Sequence, residues 1–200
     1  MSLDYLLSQY HKGNQLIFDL DNTLYNERDF LFKAYKEIAS TTTSLHLHND
    51  ILDFLKGTFV NEGRSQLFDK LVSQYANTRL SVTECLTILR NFRCDNCFET
   101  YSWFHEFIKN VDSDFKLIII TNGNAKQQKN KMLSINFPMK RDNIEVVYAN
   151  NFTPKPSPAS YIHLLKMKKV NKSIYIGDSD TDQLFCEAAA IEFFDVKKII

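Results

Sequence analysis

Two apolar runs, 15–19 (QLIFD) and 116–120 (KLIII), read as buried strands, yet almost a hundred residues of chain lie between them. A structureless loop of that length is a poor fit to a compact domain. The intervening segment must therefore carry structure of its own. Its pieces FLFKAYKEIAS, ILDFLKGTFV, SQLFDKLVSQYA and VTECLTILRNF place apolar residues three and four apart, which is helical spacing. The chain is thus read as a core domain, residues 1–26 and 97–200, interrupted after its first strand by a helical domain, residues 27–96. The stretch CFETYSWFHEFIKNV returns to the sheet as a crossover helix. The tip of the insertion is expected over the strand ends, where the insertion begins.

Three more runs complete a set of five strands: 144–148 (IEVVY), 173–177 (SIYIG) and 191–195 (IEFFD). Most are nearly continuous in apolar character, as in a parallel sheet covered on both faces. Helix-sized pieces alternate with them at 124–135, 158–169 and 180–190. Ser157 can cap the second of these, with Pro158 in its first turn. Such alternation implies an α/β fold with right-handed crossovers. No internal repeat or low-complexity stretch occurs.

Composition narrows the partners. Of 200 residues, 44% are hydrophobic and 24% charged, and 24 Lys plus Arg balance 24 Asp plus Glu. A neutral chain gives no reason to expect nucleic acid or an anionic membrane. A small charged metabolite remains compatible. The start, MSLDYLLSQYHKGNQ, has Asp4 within its apolar run and no basic leader, and every apolar run is strand-sized. The expectation is a cytoplasmic protein, monomeric or homodimeric, with four cysteines kept reduced.

The polar residues gather at the carboxyl ends of the strands. The first ends in Asp19-Leu20-Asp21-Asn22-Thr23 and the second in Thr121-Asn122-Gly123. Lys155-Pro156 precedes the fourth strand, which runs into Gly177-Asp178-Ser179-Asp180-Thr181-Asp182. Open α/β sheets bind ligands outside these ends. Clustered carboxylates repel, by roughly 4 kcal/mol for two charges about 4 Å apart at an effective dielectric near 20. A divalent cation and a lysine would compensate, and all-oxygen ligands with room for a phosphate favour Mg²⁺.

Other readings fail on residue identity. As a calcium loop, DSDTD needs Gly and Glu where Gln183 and Ala189 stand, and the Asp19 stretch has Leu24 and Phe30 there. No Walker A loop or G-x-G-x-x-G is present. A phosphorelay receiver domain also pairs early acids with a Thr and a Lys-Pro, but it has no helical insertion and no Asp-rich strand end after its Lys.

The order DLDNT, ITNG, KPSP, GDSDTD resembles the haloacid dehalogenase superfamily along the whole chain, in the subgroup with a helical cap after the first motif. The stretch DLDNTLYNERDF also resembles pyrimidine-nucleotide phosphatases of that superfamily and members found among surface-polysaccharide genes. The resemblance implies a Rossmann-like three-layer core and a Mg²⁺-dependent phosphomonoester hydrolase acting on a sugar phosphate or nucleotide. It implies Asp19 as nucleophile, Asp21 as general acid and base, and Lys155 as the neutralising cation. Thr121 and the amides of Asn122 and Gly123 would hold phosphoryl oxygens. Mg²⁺ would sit on the Asp19 carboxylate, the Asp21 carbonyl and the Asp178 carboxylate, with Asp182 behind them orienting water or Lys155. Asn22 replaces the family's usual Gly and tolerates the left-handed region. The dehalogenases of the superfamily lack the second aspartate, so Asp21 argues for phosphoryl chemistry.

A phosphomutase of the same family and a silent binding module are the alternatives. Asp180 is expected as a solvated acid or helix cap. Cys94-x-x-Cys97 lacks a second ligand pair for zinc, and free cysteines are expected. His46 and His48 have no partner motif. Arg64 is a solvated residue that could reach a substrate anion, and Tyr25 and Asn26 begin the linker beside the pocket.

Overall fold

A computed structural model describes residues 2–42, 45–78, 80–167 and 172–200. Among the described residues there are seven strands: β1 (Gln15–Phe18), β2 (Phe98–Glu99), β3 (Leu117–Thr121), β4 (Ile135–Asn136), β5 (Ile144–Tyr148), β6 (Ser173–Gly177) and β7 (Glu192–Asp195). The helices are α1 (Leu3–His11), α2 (Glu27–Ser40), α3 (Leu45–Glu62), α4 (Leu67–Gln74), α5 (Val82–Asn91), α6 (Ser102–Lys109), α7 (Ala125–Ser134), α8 (Ala159–Met167) and α9 (Asp180–Ala189). Five strands form one parallel sheet in the order β5-β3-β1-β6-β7. The fold is α/β, a parallel sheet flanked by helices.

The strands are buried because their apolar runs serve two layers. Ile17, Ile118, Ile120 and Tyr175 pack with Tyr161 and Leu164 of α8 and Phe185 and Cys186 of α9. Alternation turns Phe18 to the other face, where its ring lies 6.1 Å from Phe104 and 6.0 Å from Phe107 of α6. Each such side chain contributes about 1.5–3 kcal/mol of burial. With β1 flanked by β3 and β6, the strand order reverses at β1, which places a ligand crevice at its carboxyl end.

Two departures from the sequence reading are local. Residues 3–11 form a helix that was not anticipated; Leu6 is buried and Tyr5 stacks on Phe194 at 6.0 Å. The returning crossover is helical only from Ser102, because Phe98 and Glu99 pair with Ile135 and Asn136 in a second small sheet. The expected end of the 158–169 helix, residues 168–169, lies outside the described residues.

The chain divides into two compact units, one running up to Asn26 and resuming at Asp95, the other Glu27–Cys94. The inserted unit has its own core. Phe30, Leu31, Ala34, Tyr35 and Ile38 of α2 are buried with Ile51 and Leu55 of α3, Leu67 and Leu71 of α4 and Cys85 of α5. Helix α5 starts on a capping box in which Ser81 and Glu84 exchange side-chain and backbone bonds.

The cysteine expectation is corrected. Cys85 and Cys186 are free and buried, but Cys94 and Cys97 are disulfide-bonded. Asn96, between them in sequence, adopts the left-handed region at φ 52°. Among the described residues no helix is long and apolar enough to cross a membrane.

Candidate active site

Asp19 follows directly on β1, its amide donating to the Ile176 carbonyl at 2.8 Å, so the ladder itself aims it into the crevice. Its carboxyl is almost wholly buried. Lys155 Nζ donates to Asp19 Oδ1 at 2.7 Å, to Asp182 Oδ1 at 2.6 Å and to the Tyr175 hydroxyl at 2.7 Å. The three protons of the ammonium are thereby used. Tyr175 in turn donates to the Ile120 carbonyl at 2.8 Å, which ties Lys155 to the middle of the sheet.

Asp182 is held from both sides. Its Oδ2 accepts from the Ser179 amide at 3.2 Å and hydroxyl at 2.6 Å, and Ser179 caps α9. The cap belongs to Ser179, not Asp180; Asp180 is the first helical residue and is exposed. Gly177 makes this possible, because a Cβ there would sit 2.7 Å from the Asp182 carboxyl. Asp19, Asp178 and Asp182 each offer a ligand atom within 4.8 Å of one another.

The electrostatics follow from burial. Desolvation pushes the Asp19 carboxyl up to about 8, against the pull of Lys155 and with added repulsion from Asp182 and Asp21. Asp178 is raised to about 6, first by desolvation and then by Asp182. Lys155 is held above its usual range by the two carboxylates despite its burial. Three carboxylates against one ammonium leave a formal deficit of two charges. A divalent cation among hard oxygen ligands fits that deficit.

Asp21 lies in a different environment. Its Oδ1 accepts from the Tyr25 hydroxyl at 2.8 Å, and its Oδ2 accepts from Gln128 Nε2 at 3.0 Å and Lys131 Nζ at 2.7 Å. Desolvation raises the Asp21 pKa, but Lys131 and the three hydrogen bonds outweigh it and the net shift is downward. Asn22 carries the turn after it at φ 58°.

At the end of β3 the Asn122 amide is bonded both ways to the Lys155 backbone, at 2.9 Å each. Thr121 is buried and its hydroxyl accepts from Gln128 at 3.2 Å. The Gly123 amide, expected on a phosphoryl oxygen, donates to Asn150 Oδ1 at 2.7 Å. The structure therefore brings Asp19, Lys155, Asp178 and Asp182 together and sets Asp21 two residues along the same strand end. Arg64 is in the inserted unit, where it pairs with Glu27. Gln128, Lys131 and Tyr175 were not anticipated as site residues, and Tyr25, expected beside the pocket, was given no role there. Helical spacing of Gln128 and Lys131 on one face of α7 was the available signal.

A sheet reversing at β1 with this acid–lysine cluster at its carboxyl edge defines a class, and comparison agrees. The chain belongs to the haloacid dehalogenase-like hydrolase family, whose model matches residues 16–196. Among solved structures it is similar to a candidate phosphoglycolate phosphatase of Lactobacillus plantarum, at 20% identity and TM-score 0.52, covering 90% of this chain and 84% of that one. It is similar to a candidate β-phosphoglucomutase of Thermotoga maritima, at 18% identity and TM-score 0.55, covering 91% and 84%. It is also similar to an L-2-haloacid dehalogenase, at 13% identity and TM-score 0.52, covering 90% and 82%. At these identities the likeness is one of fold. No curated protein sequence matches the chain.

Proposed function

We propose that this chain is a Mg²⁺-dependent phosphomonoesterase that acts on a small phosphorylated metabolite, a sugar phosphate or a nucleotide, through an aspartyl-phosphate on Asp19. The observation that carries the reading is geometric: at the carboxyl end of β1, Asp19 accepts from Lys155 Nζ at 2.7 Å and offers a ligand atom within 4.8 Å of those of Asp178 and Asp182, while Asp21, two residues on, faces its own lysine.

The Asp19 carboxylate would form a bond to phosphorus as the ester oxygen departs. Asp21 gives its proton to that leaving oxygen. The approach of an anionic phosphoester raises the proton affinity of Asp21 and so supplies the acid form. In the second half Asp21 takes a proton from water, the water oxygen bonds to phosphorus, and Asp19 is released. Lys155 spreads its charge over Asp19 and the phosphoryl group. Asp19, Asp178 and the Asp21 carbonyl would hold Mg²⁺, with Asp182 fixing Lys155 behind them. When bound, the cation supplies charge neutralisation between the nucleophile and the phosphoryl oxygens. Thr121, Asn122 and Gly123 would bind those oxygens, the Gly123 amide exchanging Asn150 for substrate.

A departing halide needs no proton, so an Asp21 set among buried donors favours an alkoxide leaving group over carbon–halogen cleavage. A panel of phosphomonoesters assayed with Mg²⁺ and with chelator tests the proposal. Turnover of at least one class that disappears on chelation and returns with Mg²⁺ is expected. Full activity in excess chelator, or no phosphoester turned over, would contradict it.

A further inference from the structure

Lys131 is 1% exposed, although nothing in the KQQKNK stretch of α7 marks it from its solvated neighbours. A buried ammonium is costly, and an apolar side chain of the same length serves packing as well or better. Its place against Asp21 Oδ2 therefore calls for a chemical reason. Gln128, one turn earlier and 3% exposed, reaches the same oxygen. The amide is anchored by a further bond to Thr121 Oγ1 and a close contact with the Asn122 carbonyl. Gly123, at φ 117°, lets it pass, since a Cβ there would lie 2.9 Å from Gln128 Nε2.

We propose that Lys131 and Gln128 are positioning residues that decide which oxygen of Asp21 handles the proton: they tie down Oδ2 and leave Oδ1, beside the Tyr25 hydroxyl, as the working atom. The proposal rests on the phosphatase reading above. Its basis is donor chemistry. An ammonium and an amide NH₂ only donate, so a proton on Oδ2 would face donor hydrogens. A tyrosine hydroxyl both donates and accepts. Tyr25 can donate to Oδ1 while it is bare and turn aside when it bears a proton. In the first half-reaction the Oδ1–H bond breaks, the proton goes to the leaving oxygen, and the electron pair stays on a carboxylate that faces Lys131. Charge thus appears where a fixed cation already points. In the second half-reaction Oδ1 accepts a proton from the attacking water.

A general acid matters most when the leaving group is a poor one. The test compares kcat/KM for an alkyl phosphate with that for p-nitrophenyl phosphate, whose phenolate leaves without help. The parent, Lys131→Met, Lys131→Gln and Asp21→Asn are measured together, each with a thermal melt. For Lys131→Met we expect about 10- to 100-fold loss on the alkyl ester, part of the roughly 10²- to 10⁴-fold that a general acid contributes in full, and about threefold or less on the aryl ester. Lys131→Gln should show the same asymmetry, several-fold in size, and carries the test if the Met variant does not melt cooperatively. Equal losses on both esters for the Lys131 variants, with asymmetric loss for Asp21→Asn, would overturn this proposal and leave the phosphatase reading standing. Equal losses for Asp21→Asn itself would overturn the assignment of Asp21 as the acid.

Discussion

Asp19 and Asp178 are carboxyls placed where a charge is poorly solvated, and the consequence is measurable as stability. Both have folded pKa values above their unfolded ones, about 8 and about 6. Between the unfolded carboxylate range and those values, the folded protein binds more protons than the unfolded chain. Stability must then fall as pH rises through that window. Asp21 is shifted the other way and loses its contribution only in acid, and Lys155 is raised and stays charged throughout. Without divalent cation, the melting temperature is expected to decline from pH 5 to pH 8. Added Mg²⁺ should raise it more at pH 8 than at pH 5, since binding needs the ionised carboxylates. Thermal melts on a pH series with and without Mg²⁺ check this, and a melting temperature that rises from pH 5 to pH 8 in chelator would refute it.

At the scale of elements, the turn from β6 into α9 carries the tightest packing of the site. Gly177→Ala puts a methyl group 2.7 Å from the Asp182 carboxyl. Overpacking of this kind costs about 1–3 kcal/mol. Asp182 must move, and Lys155 with it, so turnover should fall more than tenfold in the folded variant. A circular-dichroism melt and an assay on one preparation test both halves; unchanged activity would mean that Asp182 does not hold Lys155. This edge of the sheet was legible in the sequence because nearly continuous apolar strands end abruptly in acids, Thr or Gly. The five main strands and the helices between them stand out by the same contrast. Other features depend on tertiary placement and carry no local mark. Lys131 reads as one more charge on a polar helix until β1 and β3 bring Asp21 against it. Tyr25 reads as a linker residue until its ring is buried on Phe98, at 6.4 Å. That Cys94 and Cys97 are disulfide-bonded is likewise not revealed by their spacing alone. Helix α1 is short, and its moderate pattern gains meaning only from packing on the sheet.

For the molecule as a whole, the proposed chemistry rests on one of the two units. Every carboxylate, lysine and amide in the reaction scheme belongs to the unit built on the sheet, so substitutions in Glu27–Cys94 should leave the Mg²⁺ requirement intact. Arg64→Ala is the useful case, because it opens a pairing with the buried Glu27 carboxylate. It should lower stability by about 1 kcal/mol or less, since the Arg64 side chain is about half exposed. A Mg²⁺ titration of the variant should superimpose on that of the parent. A changed Mg²⁺ midpoint would show that the inserted unit reaches the metal site. Ca²⁺ should inhibit, because its larger and looser shell misplaces the nucleophile. The central claim is that phosphorus becomes bonded to Asp19. Acid quenching during turnover of a ³²P-labelled phosphoester, followed by peptide mapping, tests it most directly. The account predicts acid-stable, base-labile label on the peptide containing Asp19, and neither label nor turnover in Asp19→Asn. Turnover by Asp19→Asn near the parent rate, or label on a peptide that lacks Asp19, would contradict it.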